Sequence, residues 1–172
     1  MTPSELEIIT KRPSECSPRE IDVFIDFVRE GGEVQAAGLR ERVTGAAALA
    51  FARLSGSCVG VAALKLPQPN YRERIHKSSG ILIPETAFPF ELGWVFVSMS
   101  SRGKGYARLL SSAALAEGQG DGVFATSRAD NAAMHRSLVR AGFEATGEPF
   151  RSSRGPYSLQ IFLRHASRPA TR

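Results

Sequence analysis

The residues that can do chemistry gather in one stretch, "ELGWVFVSMSSRGKGYARLL", from Glu91 to Leu110. Its second half sets Arg102, Gly103, Lys104 and Gly105 between an apolar run and a run with helical apolar spacing. Strand, glycine-rich turn and helix in that order form an anion-binding layout. The first amides of a helix lack internal partners, and the helix dipole puts partial positive charge there. Glycines let the backbone come close to a ligand. The amides from Gly103 to Ala107 can therefore cradle a phosphate or pyrophosphate. Spacing removes two relatives of this layout. A Walker A loop needs Gly, four residues, then Gly-Lys-Ser/Thr, which is absent, and a dinucleotide fingerprint needs glycine where Arg108 stands. A plain tight turn competes with the anion site, and spacing does not decide between them.

The first half of the stretch carries a carboxylate on an apolar strand. Side chains alternate along a strand. Leu92, Trp94 and Phe96 then share one face, while Glu91, Gly93, Val95 and Val97 share the other. That second face is thin at Gly93 and leaves room for a ligand. A carboxylate there is costly unless hydrated or paired. Partial burial favours the neutral form of any carboxylate, which suits one to accept a proton. The competing reading makes Glu91 an exposed charge at the strand entry.

Elements on both sides must hold this stretch in place. Leu6 to Pro13 reads as a first strand. Ser17-Pro18-Arg19-Glu20 then forms a capping box with proline at the first helical position. Ile21, Phe24 and Val28 keep helical spacing until Gly31-Gly32. A second helix is expected from Val34 to Val43. Two apolar runs flank Ser55-Gly56-Ser57, a hairpin signal. Residues Gln68 to Pro89 read as a long irregular loop. The central strand runs from Glu91 to Met99. Tyr106, Leu109, Leu110 and Ala113 line one face of the next helix. "GVFATS" is a strand. "DNAAMHRSLVRAGF" is a helix capped by Asp130 or Asn131, with Met134, Leu138 and Ala141 apolar and Gly142 as terminator. "EATGEPF" and "YSLQIFLR" close the fold around "SSRGP", and "HASRPATR" is a loose tail. The expected fold class is α/β (α+β). It is a single domain over residues 1–164, with a mixed sheet of about seven strands, flanking helices and a flexible basic tail over 165–172.

At this point the residues resemble a family. Arg102-Gly103-Lys104-Gly105-Tyr106-Ala107 is similar to the Arg/Gln-x-x-Gly-x-Gly/Ala loop of the GNAT superfamily of acyl-CoA-dependent N-acyltransferases. Asn131, followed by a helix ending in Gly142-Phe143, resembles the family's second cofactor segment. The order of elements matches as well. The resemblance implies a GNAT-like fold with acetyl-CoA as co-substrate and no metal. The pyrophosphate would sit on the amides of Arg102, Gly103, Lys104, Gly105, Tyr106 and Ala107. The pantetheine would lie beside Val97, Ser98 and Met99, and Asn131 would touch the cofactor or serve as a helix cap.

The implied activity is N-acetyl transfer from acetyl-CoA to a primary amine of a small molecule or protein, by direct attack on the thioester. In the family's histone-modifying members the base is a glutamate six residues before the apolar residue that contacts the cofactor. Six before Val97 is Glu91. Many relatives carry a tyrosine four residues before the second helix's glycine, as acid for the departing thiolate. Leu138 holds that position here. The thiolate then leaves unaided, or Tyr106, His135 or Tyr71 donates; of these, Tyr106 is expected to pack on its helix and His135 to face solvent. Leu138 also keeps open a non-catalytic acyl-CoA-sensing module. A third alternative is toxin-like acetylation of aminoacyl-RNA. Oligomeric state is open; relatives often dimerise through late strands, which makes a homodimer one option. The acceptor should be shaped by the first helices, the Gln68 to Pro89 loop with Glu73 and Glu85, and the closing hairpin.

Composition sets outer bounds. The chain has 172 residues and a formal net charge of +5. Its basic residues are scattered, with no basic stripe and interleaved aromatics, which argues against a nucleic-acid partner. Cys16 and Cys58 are too few for a disulfide framework or a zinc site, and His76, His135 and His165 lack metal-ligand spacing. "MTPSELEIITKRP" has no apolar core of signal-peptide length, and no run is long enough to span a membrane. A cytoplasmic protein is the expectation.

Overall fold

The Ser17-Pro18-Arg19-Glu20 box builds its helix as read. In the computed structural model, which describes residues 5–32 and 34–167, the Ser17 hydroxyl accepts from the Glu20 amide at 3.1 Å. The Glu20 carboxylate accepts from the Ser17 amide at 2.8 Å. Two orphan donors are thus satisfied at the start of α1 (Pro18–Glu30), whose buried face is Ile21, Phe24, Ile25 and Val28. Before α1 stands β1 (Leu6–Lys11). After it comes α2 (Leu39–Thr44), which starts later than expected because Gly38 turns the chain with φ 69°. The hairpin of β2 (Ala48–Leu54) and β3 (Ser57–Lys65) turns through Ser55 and Gly56, with φ 50° and 80°. Left-handed values at both central residues are what a type I′ turn requires.

The Gln68 to Pro89 segment is not an irregular loop throughout. Its first half is α3 (Pro69–Ser79), with proline in the first turn and Gly80 ending it. Then follow β4 (Phe90–Val97), α4 (Tyr106–Ala116), β5 (Val123–Arg128), α5 (Ala132–Arg140), β6 (Glu144–Arg151) and β7 (Ser158–Arg164). The face of α4 also differs from expectation. Leu110, Ser111, Ala114 and Leu115 are buried, whereas Leu109 is exposed.

The strands form one mixed seven-stranded sheet in the order β1-β2-β3-β4-β5-β7-β6. The β1–β2, β2–β3, β5–β7 and β6–β7 pairs are antiparallel, and β4–β5 is parallel. By packing, the chain divides into two units. One comprises residues up to Lys65 together with Leu92–Glu117. Its core joins Phe24, Leu39, Val43, Leu49, Phe51 and Val61, with Trp94 and Phe96 packed against it. Here α4 lies on β1, β2 and β3. The other comprises Leu66–Glu91 and the chain from Gly118 onward. Its core joins Ile75, Ile83, Phe88, Phe124, Ile161 and Leu163, with Tyr71, Ile81 and Phe150 packed against it. Of the expected loose tail, Ser167 donates its amide to the Gly120 carbonyl at 2.9 Å; residues 168–172 lie outside the described ones. Among the described residues no helix is long and apolar enough to cross a membrane.

Candidate functional site

The glycine-rich turn belongs to the first unit. β4 ends at Val97, a short 3-10 turn follows over Met99–Ser101, and Gly105 is the N-cap of α4. Gly103 and Gly105 have φ 77° and 81°. Any other residue type would be strained at either place, by about 1–2 kcal/mol. A Cβ at either glycine would meet nothing within 4 Å, so the turn faces open space. No side chain caps the first amides of α4. Arg102 reaches back, donating from Nε to the Val97 carbonyl at 3.0 Å, with its guanidinium 5.2 Å from the Phe96 ring centroid. Ser98 donates its amide to the Val59 carbonyl at 2.9 Å. Lys104 is exposed, Tyr106 and Ala107 are half-buried, and the Met99 side chain stands in solvent. Uncapped helix amides, an open left-handed glycine turn and an exposed lysine fit a pyrophosphate.

The strand before the turn departs from simple alternation. Trp94 has φ 52°, which breaks the period of two. Glu91 and its neighbour Leu92 are both buried. Trp94 packs edge-on against Phe24 with centroids 6.0 Å apart, and Phe96 lies 6.1 Å from Phe27. The room expected beside Gly93 is taken. A Cβ there would meet Lys65 Cδ at 2.8 Å, and Lys65 Nζ lies 4.6 Å from the Trp94 ring centroid.

Glu91 and Asn131 belong to the second unit. Glu91 is 3% exposed, so it is not an exposed strand-entry charge. The parallel ladder registers Phe90 on Val123 and Glu91 on Phe124. From α3 the Tyr71 phenol donates to Glu91 Oε1 at 2.9 Å. The Thr126 hydroxyl of β5 hydrogen-bonds the same phenol. Tyr71 is half-buried as a residue, but its phenol end is enclosed. Burial first, then the Glu91 charge and the bond to it, push the Tyr71 hydroxyl well above its ordinary ionisation range. The next residue, Arg72, donates to the Ile83 and Pro89 carbonyls, each at 3.1 Å. Its guanidinium lies 5.5 Å from the Phe124 ring centroid. Burial lowers its affinity for the proton, opposed by Glu85 and Glu91.

The remaining residues take structural places. Asn131 caps α5, its Oδ1 accepting from the Met134 amide at 3.1 Å. Leu138 is 1% exposed. His135 does not face solvent as expected: its Nε2 is 2.9 Å from the Arg128 carbonyl, and its ring lies 4.8 Å from that of Phe162. The α3 scaffold and the Tyr71–Glu91 bond escaped the sequence reading. Pro69 in a first turn and the Tyr71/Ile75 pair one turn apart were the signals that could have found them.

The model of the acetyltransferase (GNAT) family matches residues 16–143. No curated protein matches the chain in sequence. Among solved structures, yncA from Salmonella typhimurium, an acetyltransferase by description and solved with its cofactor acetyl-CoA, superposes with a TM-score of 0.66 at 17% identity, covering 98% of both chains. An acyl-CoA N-acyltransferase from Pseudomonas aeruginosa gives 0.63 at 18% identity, over 93% of this chain and 99% of that one. ElaA from Escherichia coli gives 0.61 at 16% identity, over 91% and 99%. At such identities the likeness speaks for the fold. The family match covers most of the chain, and with it the strand, the turn and the helix after it: the protein is a member of the GNAT acetyltransferase family.

Proposed function

We propose that this protein transfers the acetyl group of acetyl-CoA to a primary amine by direct attack, with Glu91 as the base. The observation that carries the reading is a buried carboxylate, 3% exposed, on the strand that leads into the open glycine turn. The turn's amides from Arg102 to Ala107 and Lys104 hold the pyrophosphate, the pantetheine runs beside Val97 to Met99, and Asn131 adds a cofactor contact from its cap position. An alkyl ammonium keeps its proton at neutral pH, so a base must take it before attack. Glu91 accepts that proton. The neutral amine nitrogen bonds to the thioester carbonyl carbon and gives up a second proton to solvent, the carbon–sulfur bond breaks, and the thiolate leaves to be protonated by solvent. A thiol is a tolerable leaving group near neutral pH, so the buried Leu138 does not block the step.

Leu138 also supports the second reading, a module that binds acyl-CoA without turnover. A thiol-release assay separates the two. Acetyl-CoA is offered with L-methionine, spermidine, phenethylamine and a lysine peptide in turn, and binding is measured in parallel by calorimetry. Amine-dependent thiol release supports transfer. Tight acetyl-CoA binding with no release on any amine supports the sensing module.

A further inference from the structure

We propose that Tyr71 is a positioning residue for the reaction: its phenol holds the Glu91 carboxylate in the orientation in which it accepts the amine proton. The inference rests on the reading of Glu91 as base. It starts from one contact, the 2.9 Å bond from Tyr71 Oη to Glu91 Oε1. A carboxylate buried to 3% exposure loses most of its hydration. A hydroxyl that donates to it restores part of that stabilisation. The bond also restricts rotation of the carboxylate, since Oε1 is held by the phenol.

The phenol is itself held in place. Thr126 hydrogen-bonds it from β5, and the Arg154 charge in the β6–β7 turn bears on it. Arg74, on its own helix, places its guanidinium 5.8 Å from the ring centroid. The neighbouring Arg72 pins α3 to the carbonyls of Ile83 and Pro89, the latter directly before β4, and the Glu85 and Glu91 charges bear on it. Tyr71 cannot ionise in the working range, because burial and the Glu91 charge hold its proton on. It therefore stays a donor whenever Glu91 is charged. The helix that carries it comes from the β3–β4 connection.

The test is a double-mutant cycle of Tyr71→Phe and Glu91→Gln, read as kcat/KM against pH with the fastest amine of the panel. Phenylalanine keeps the packing and removes only the donor. With the donor gone, the ionised carboxylate is less favoured. The acidic limb of the Tyr71→Phe profile should then move up by about one pH unit, a tenfold change in proton affinity. In the Glu91→Gln background, Tyr71→Phe should lower the residual rate no further. An acidic limb unmoved in Tyr71→Phe while Glu91→Gln abolishes it would overturn the role of Tyr71 and leave Glu91 as base. A Glu91→Gln enzyme with the wild-type profile would overturn both. An acceptor-free readout covers the same contact. Among the three tyrosines, one should resist ionisation in an ultraviolet alkaline titration of the wild type. In Glu91→Gln that tyrosine should ionise at lower pH; an unchanged titration overturns the proposal.

Discussion

Arg102 reaches back over its own turn and donates from Nε to the carbonyl of Val97, the last residue of β4, at 3.0 Å. The bond ties the end of the central strand to the start of the glycine turn. Its loss should loosen the turn and weaken acetyl-CoA binding. Arg102→Ala is expected to raise Kd about tenfold, or ~1.4 kcal/mol, by calorimetry. Arg102→Lys keeps the charge but not the planar fork, so it should recover only part of the affinity. Full recovery by lysine would reduce Arg102 to a charge.

Gly105 adopts φ 81° with open space beyond it. Gly105→Ala should cost about 1–2 kcal/mol of stability from backbone strain alone, read as a lowered melting temperature. Gly105→Glu adds an anion at the helix N-terminus. It should weaken acetyl-CoA by at least about tenfold beyond the alanine variant. Equal affinities in the two folded variants would remove the pyrophosphate from this turn.

Glu20 accepts from Lys11 at 2.7 Å, from the Ser17 amide at 2.8 Å and from Arg53 at 2.8 Å. Those partners, Lys11 foremost, bring its carboxyl from 4.5 down to about 2. A carboxylate lowered on folding stabilises the fold fully above its unfolded value. That contribution fades as pH falls from about 4.5 towards about 2. At neutral pH, Glu20→Gln should cost about 1–2 kcal/mol through the weakened cap and ion pairs. Melting temperatures of wild type and variant should converge as the pH falls through that window. Parallel curves would show that Glu20 carries no pH-linked stability.

Much of the scaffold was legible because local chemistry dictates it. The α1 box names its own donors and acceptors, and Ser55-Gly56 supplies the two left-handed residues that the hairpin needs. Asn131 was readable as a cap for the same reason. What escaped depends on tertiary packing. α3 has Gln68 as its N-cap with no side-chain cap bond, and Ile75 is its one wholly buried residue, so its sequence reads as polar loop. α4 is apolar on most sides, and packing alone decides that Leu110 rather than Leu109 turns inward. The left-handed Trp94 breaks an alternation that no local signal interrupts, and Lys65 fills the space by Gly93 from another strand. For the candidate site, the glycine turn and the Glu91 carboxylate stand out by residue type, while their proposed roles came with the family resemblance. The Tyr71 contact does not stand out, because it depends on where an unrecognised helix sits.

Leu138 is 1% exposed, so a larger side chain there must displace its neighbours. Leu138→Tyr should destabilise the protein by about 1–3 kcal/mol through overpacking, seen in thermal melts. Thiol release should not rise. A faster folded variant would mean that the thiolate does need a donor from α5.

The central claim is that Glu91 removes the amine proton, and Glu91→Gln tests it most directly. Glutamine keeps the size and loses the proton-accepting power. Steady-state thiol release across pH, with the best amine of the panel, should fall by roughly 10²-fold, and the acidic limb of the profile should vanish. The calorimetric Kd for acetyl-CoA should stay within about twofold, because a base for the amine is not required to touch the cofactor. A folded Glu91→Gln enzyme with the wild-type rate at every pH would contradict the claim and hand the proton to water or to another residue.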